Sequence, residues 1–187
     1  KGTYYYFKLE PLRWEIIDEE KGLLLCDRII ENMRYANDIS NNYKNSKVRA
    51  WLNDYFLNFA FTKEEQAFIK TTLVDNSPES TLISPNKFAC ENTEDKIFLL
   101  SAVEARAMNV NNYYFPMELQ RVISDFSRAT GCEMDVWLNY GCGRWYTRSP
   151  FANKSNQVRV VLENGKMENR DVHNERIGIV PALRIDL

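Results

Sequence analysis

The sequence has no excess of positive charge, and this absence limits the kinds of molecule that it is expected to bind. Its 187 residues contain 24 Lys and Arg against 26 Asp and Glu, which gives a formal net charge of -2. Proteins that bind nucleic acid usually present a basic face to the phosphates, so we expect no nucleic-acid partner. No apolar run approaches the roughly 18 residues that a membrane helix requires, so we expect no transmembrane segment in this sequence.

Residue types that build metal and catalytic sites are also scarce. His173 is the only histidine, and the four cysteines contain no C-x-x-C pair, so the sequence predicts no metal site. It contains no G-x-S-x-G nucleophile elbow and no glycine-rich phosphate loop. We therefore predict no catalytic residue and no cofactor. If a disulfide exists, Cys132 with Cys142 is the favoured pair, and two unpaired thiols are the alternative.

Apolar residues make up 44% of the chain, as in globular proteins with a sizeable core. The first part carries β patterns. Residues 3–10 are rich in aromatic strand formers, and Leu12, Trp14 and Ile16 alternate with polar residues, which predicts one buried strand face. The run "LLLCD" predicts a further strand after a polar turn.

The hydrophobic period then changes to that of an α-helix. Apolar residues recur at i, i+3, i+4, i+7, i+8 and i+11, with Ser46 as a candidate N-cap, and this spacing predicts one helix whose stripe is buried. The tetrapeptides "TKEE" from Thr62 and "SAVE" from Ser101 fit capping boxes, which predicts two further helices. The residues of the stripe are Val48, Trp51, Leu52, Tyr55, Phe56 and Phe59.

The last third of the chain returns to β patterns. Asn164-Gly165 stands between two extended segments and is the strongest short-range signal for a hairpin. In the closing segment "RIGIVPALRIDL", Pro181 cannot donate to a strand ladder, which predicts an edge strand or a bulge there. Before this third, residues 74–95 show little periodicity and predict a functional loop or an insertion. Residues 116–132 predict a helix in their first half.

Strands at both ends with helices segregated between them predict the α+β class, as opposed to alternating α/β. We expect the N- and C-terminal strands to pair in an antiparallel sheet that closes the fold. Neither an internal repeat nor a linker interrupts the chain, so residues 1–187 are predicted to form a single domain.

Several segments, in this order, resemble a bacterial family of domains of unknown function: "SKVRAWLND", "FTKEEQ", "IFLLSAVEA", "WYTRSP" and "NGK…IGIVPALRIDL". Members of that family show S-x-x-R-x-W-L-N, F-L-L-S, W-x-R-S-P and a closing G-x-x-P-A-L segment. The resemblance extends from about Trp14 to Leu187. It implies a C-type-lectin-like fold, similar to that of formylglycine-generating enzymes. It also implies a module of a secreted or cell-surface protein of gut or soil bacteria.

The resemblance implies a fold more than an activity, because the family has no established one. We expect a non-catalytic binding or structural module, with loops at residues 74–95, 109–116 and 151–156 as the places for a glycan or protein ligand. A calcium-dependent sugar site is not expected, because "WLND" lies on a predicted helix and no E-P-N or Q-P-D tripeptide accompanies it. The candidate ligand-binding residues are Tyr146, Arg148, Asn153 and Asn156.

Three alternatives compete with this hypothesis. The aromatic and arginine side chains of "GRWYTRSP" also fit a device that anchors the C-terminal sheet, with Arg148 bound to a carboxylate or to backbone carbonyls. An oxidoreductase similar to the formylglycine-generating enzymes would use Cys132 or Cys142. A purely structural spacer would have no open pocket lined by convergent polar groups.

Overall fold

Short strands dominate the chain, and a computed structural model describes them over residues 4, 6–8, 11–111, 114, 116–134 and 141–187. The strands are β1 (Trp14–Asp18), β2 (Leu23–Cys26), β3 (Arg28–Ile29), β4 (Glu31–Asn32), β5 (Thr72–Val74), β6 (Thr93–Asp95), β7 (Ile97–Phe98), β8 (Arg121–Ile123), β9 (Cys142–Gly143), β10 (Trp145–Pro150), β11 (Gln157–Val161), β12 (Met167–Asp171), β13 (Gly178–Ile179) and β14 (Ala182–Arg184). The helices are α1 (Lys47–Ala50), α2 (Leu57–Ala60), α3 (Lys63–Phe68), α4 (Ala102–Ala107) and α5 (Asp125–Ala129). A π-helical segment (Trp51–Phe56) joins α1 to α2, and 3₁₀ turns occur at Tyr43–Asn45, Pro78–Ser80 and Met117–Leu119.

The described strands form two larger and two smaller sheets. A four-stranded antiparallel sheet has the order β1-β2-β14-β7. A five-stranded sheet has the order β12-β11-β10-β13-β4, in which β10 and β13 run parallel. The smaller sheets are β3-β8-β9 and β5-β6. Several sheets with a few short helices make this an α+β fold, as predicted.

The closing strand pairs with an early one. Leu183 of β14 lies opposite Leu24 of β2 in antiparallel register, which confirms the predicted pairing. The edge strand or bulge predicted at Pro181 is wrong, because β13 and β14 each have a neighbour on both sides. Instead the strand ends before the proline, and the chain passes from the five-stranded sheet to the four-stranded one. The carbonyl of Pro181 accepts a hydrogen bond from the Cys26 amide at 2.9 Å.

The predicted buried face of β1 holds only in part. Leu12 and Trp14 pack against the core, but Ile16 is 56% exposed and Ile17 is half-buried. The register of β1 with β2 shifts between Ile16 and Asp18. A bulge places an extra residue in one strand and changes which side chains face inward.

The predicted helical stripe is also only partly buried. Val48, Leu52 and Phe56 are buried, whereas Tyr55 is exposed, Phe59 is 76% exposed, and Trp51 is half-buried. The π-helical segment explains the difference, because its i→i+5 bonds widen the turn and rotate later residues. Ser46 caps the helix as predicted, since its side chain accepts a hydrogen bond from the Arg49 amide.

In two other segments of the middle of the chain, the structure differs from the prediction. Residues 116–132 contain a 3₁₀ turn, then β8, and their helix α5 lies in the second half. Residues 74–95 begin and end in paired strands, since β5 and β6 form a two-stranded sheet. The described residues among 3–10 are not in a strand, and residues 112, 113, 115 and 135–140 lie outside the description.

Local turn and cap signals are confirmed. Thr62 and Ser101 each open a helix through a complete capping box. Asn164 and Gly165 connect β11 to β12, which pair in register from Val161 opposite Met167. Gly165 has φ +82°, and a Cβ there would lie 2.0 Å from the Pro116 carbonyl oxygen.

Candidate functional site

The aromatic and arginine side chains of β10 point into the protein. Tyr146 is fully buried, and its hydroxyl donates to a backbone carbonyl at 2.8 Å. Arg148 is 3% exposed and donates to the carbonyl oxygens of Leu99 (2.7 Å) and Asp75 (3.0 Å). It also donates to the carboxylate of Glu104 at 2.5 Å. These side chains therefore anchor β10 to the segments around it.

The two predicted asparagines lie in the turn between β10 and β11. Asn153 is exposed, whereas Asn156 is half-buried and donates to the Asp171 carboxylate at 2.8 Å. Asn41 holds this turn, because its side-chain amide donates to three backbone carbonyls in the turn and beside it. The two asparagines thus lie in a surface turn, whereas Tyr146 and Arg148 lie in the interior. Ligand binding by these four residues stays a prediction.

The segment "SKVRAWLND" ties its helix to the neighbouring strands. Nε of Arg49 donates to Asp95 at 2.8 Å, and the Asp95 side chain is almost fully buried. The Asn53 side chain donates to the Ile97 carbonyl at 2.8 Å and accepts from the Lys96 amide at 3.0 Å. These polar side chains therefore serve the scaffold.

The predicted disulfide between Cys132 and Cys142 is absent. Cys132 is a buried free thiol, so the disulfide with Cys142 does not form, and Cys142 is itself buried in β9. Burial raises the pKa of Cys132 to about 12 and the pKa of Cys26 to about 11. A thiol that stays protonated at neutral pH is a poor nucleophile. The Cys132 environment therefore does not favour the oxidoreductase hypothesis.

A groove of about 660 Å³ opens where the four-stranded sheet faces the end of α4 and the turn Met117–Leu119. Asp18 pairs with Leu23, and Leu23 pairs with Arg184, so the three residues form a row across the sheet. Directly opposed residues in a sheet project to the same face. Asp18 and Arg184 therefore flank the buried Leu23 at the floor of the groove. Its apolar walls include Ile16, Ile17, Met108, Val110 and Met117.

Most charged groups that line the groove have internal partners. Glu15 accepts from Arg121 at 2.8 Å, and burial lowers the pKa of Arg121. Asp18 accepts hydrogen bonds from the side chain of Lys21 at 2.5 Å and from its backbone amide at 3.0 Å. Both hydrogen bonds lower the pKa of Asp18. The third carboxylate, that of Glu104, is held by the buried arginine of β10.

Two charged side chains in the groove lack such partners. Nε of Arg184 and Oε2 of Glu118 are buried and make no hydrogen bond within the described part of the chain. Burial raises the pKa of Glu104, Arg148 lowers it, and the charge of Arg184 adds to the net decrease. A buried polar group without a partner costs about 1–3 kcal/mol, so these atoms indicate a place for a ligand or a bound water.

A second recess, of about 310 Å³, has charges that satisfy one another. Arg144 donates to Glu133 at 2.8 Å and to Glu163 at 2.9 Å, and Arg176 lies 3.4 Å from Glu133. Among the residues that the structure describes, no group of three or more His, Cys, Asp or Glu is placed to hold a metal ion. The groove above Arg184 is therefore the stronger candidate.

A family model described as "Domain of unknown function (DUF6273)" matches residues 19–187. The chain belongs to the DUF6273 family. No curated protein and no solved structure matches it. In this DUF6273 chain the groove joins matched residues, such as Arg184, to residues 15–18 of β1, which precede the match. None of its described helices has both the length and the apolar character of a membrane span.

Sequence patterns do not single out the groove of this DUF6273 chain. None of the four candidate ligand-binding residues lines it. Arg184 alternates with apolar residues in the closing segment, a pattern that is also typical of a solvated arginine. Glu118 lies in a segment whose pattern predicts a helix. The useful signal is the pairing of the terminal strands, because it brings Asp18 and Arg184 into one row.

Proposed function

We propose that this DUF6273 chain is a non-catalytic binding module whose glycan or protein ligand occupies the groove above Arg184. The observation that carries the proposal is the pair of buried, unsatisfied polar atoms on Arg184 and Glu118 in a groove with apolar walls. Ligand sites typically combine apolar walls with a few convergent polar groups. A structural spacer has no use for such a groove.

Capture of a ligand from outside the protein tests this proposal. Ala107 lines the groove at the exposed end of α4, so Ala107→Trp fills part of the groove without disturbing the core. Ala129→Trp on α5 is the matched control, since Ala129 is exposed and lies outside the groove. A glycan array and a pull-down from cell-surface extracts should give a ligand that wild type and Ala129→Trp retain and Ala107→Trp loses. Silence of the wild type in both assays contradicts the proposal.

We further propose a C-type-lectin-like fold and a place in a secreted or surface protein of a bacterium. The antiparallel pairing of β2 with the closing strand β14 supports the fold proposal. The proposed location rests on the sequence resemblance. Protease treatment of intact cells that carry the native gene tests the location. Digestion on intact cells, or recovery from the medium, supports it, whereas digestion only after lysis contradicts it.

A further inference from the structure

We propose that the groove binds an extended polypeptide segment that carries both a carboxylate and a basic side chain. This inference rests on the proposed binding function and specifies its ligand. It follows from the charges left unsatisfied in the groove and from the type of side chain that forms its walls.

The cation at the floor of the groove, Arg184, has no ion-pair partner among the described residues. Asp18 and Glu104 also line the groove, but each accepts a hydrogen bond from another cation, at 2.5 Å in both pairs. Within the described chain, Arg184 takes part in no ion pair, and its Nε has no hydrogen-bond partner. A guanidinium binds carboxylates through charge-assisted, often bidentate, hydrogen bonds. The charge of Arg184 lowers the pKa values of Asp18 and Glu104, but neither carboxylate forms an ion pair with it. A ligand carboxylate therefore supplies the direct ion pair that Arg184 lacks.

The anion on the opposite wall, Glu118, receives no hydrogen bond from a neighbouring cation among the described residues. The nearest cation in sequence, Arg121, donates to Glu15 and to the backbone carbonyls of Cys26, Glu118 and Gln120. None of these hydrogen bonds goes to the Glu118 side chain, whose Oε2 has no hydrogen-bond partner among the described residues. A ligand ammonium or guanidinium group satisfies this oxygen. A ligand with both charges complements the groove better than an anion or a cation alone.

The side chains of the groove favour a polypeptide over a glycan. No described residue that lines the groove is aromatic, so the described part of its walls offers no ring face on which a sugar can stack. They present aliphatic and thioether side chains, including Val110 at 80% exposure and the adaptable Met117. Such walls suit the apolar side chains of a peptide. Neutral sugars carry no charge for Arg184 or Glu118, and acidic sugars supply only the carboxylate.

An array of immobilised random peptides, each made with a free and with an amidated C-terminus, tests the inference on the whole chain. Wild type should select peptides with both charges. Arg184→Gln should weaken their binding about tenfold or more, the effect of one lost charge-assisted hydrogen bond, and Glu118→Gln should act in the same direction. Arg106→Gln is the matched control, because Arg106 is exposed and lies outside the groove. Urea unfolding establishes that each variant is folded.

The outcomes separate this inference from the proposed function. Loss of binding on amidation assigns the carboxylate to the peptide C-terminus, and loss only on Asp→Asn or Glu→Gln exchange in the peptide assigns it to a side chain; both support the inference. Equal binding by Arg184→Gln and Arg106→Gln overturns it. If no peptide binds but Ala107→Trp abolishes binding to a glycan, the inference fails and the proposed function stands. If neither peptides nor glycans bind the wild type, both fail.

Discussion

Replacement of Arg148 by Met should destabilise the protein by about 3–5 kcal/mol, the usual cost of removing one member of a buried ion pair. The side chain is 3% exposed, and its loss leaves the carbonyls of Leu99 and Asp75 and the carboxylate of Glu104 without their donor. Each orphaned acceptor alone costs about 1–3 kcal/mol. Water reaches part of Glu104, whose side chain is 27% exposed, and this places the expected cost at the lower end.

Equilibrium unfolding in urea, followed by tryptophan fluorescence, measures this cost. With a slope of about 1–3 kcal/mol per molar urea, a loss of 3 kcal/mol lowers the midpoint by about 1 M or more. Arg144→Met is the control, because Arg144 forms ion pairs, with Glu133 and Glu163, but is 28% exposed and should cost under about 1 kcal/mol. Adding Glu104→Gln to Arg148→Met should restore part of the loss by removing the unpaired charge. If Arg148→Met costs no more than Arg144→Met, the buried pair does not stabilise the fold.

The same pair predicts a pH dependence. Burial raises the pKa of Glu104, but Arg148, the Ser101 amide and Arg184 together more than offset this, and the pKa in the folded protein lies below its ordinary value. The pair therefore contributes fully above the unfolded pKa of about 4.3, and the contribution is lost as the pH falls through the folded pKa. Unfolding free energy should decline more steeply below that pH in the wild type than in Glu104→Gln. Parallel curves would contradict the assigned shift.

Two further pairs of substitutions test the helix and the hairpin. Phe56→Ala should cost about 3–5 kcal/mol because Phe56 is buried, whereas Phe59→Ala should stay within about 0.5 kcal/mol; equal costs in urea unfolding would refute the shifted stripe. Gly131→Ala should carry only the strain of a positive φ, about 1–3 kcal/mol. Gly165→Ala should lower the thermal midpoint further, since its Cβ also meets the Pro116 carbonyl; the reverse order would refute this.

The features that sequence predicts well are those whose partners lie within a few residues. The capping boxes at Thr62 and Ser101 are complete within four residues, so each needs no distant contact to form. The Asn164-Gly165 turn is similar, because its geometry depends on a glycine at positive φ. Such signals favour the same local structure in an isolated segment, and tertiary packing only has to be compatible with it.

Features that depend on register are predicted poorly. Ile16 is exposed although it keeps regular register with β2, and the register shifts only after it; the π-helical segment leaves Tyr55 and Phe59 exposed. In both cases the apolar spacing is that of a regular element, but the spacing alone does not say which side chains the rest of the fold covers. Contacts with other strands accompany the π-helical segment, such as the two hydrogen bonds between the Asn53 side chain and Ile97 of β7. The spacing of apolar residues carries no information on those contacts.

The groove is a harder case, because its charged residues come from both ends of the chain. Asp18 and Arg184 lie in one row across the sheet only because β14 pairs with β2, between β2 and β7. Glu118 joins them from a turn whose pattern predicts a helix. Each residue alone looks like a solvated surface charge. Only the assembled fold shows that one side-chain atom of Arg184 and one of Glu118 are buried without a hydrogen-bond partner among the described residues.

Three arginines in this chain show how scaffold and site differ in physical terms. Arg49 and Arg148 lie in segments that carry the family resemblance, and each is bound to a carboxylate, so the fold itself accounts for them. Arg184 directly follows the "PAL" of the closing segment and is also half-buried, yet the described chain supplies it with no ion pair. An unpaired guanidinium in a protein interior is a net cost to folding. The proposed ligand therefore gives Arg184 a partner that the sheet does not supply.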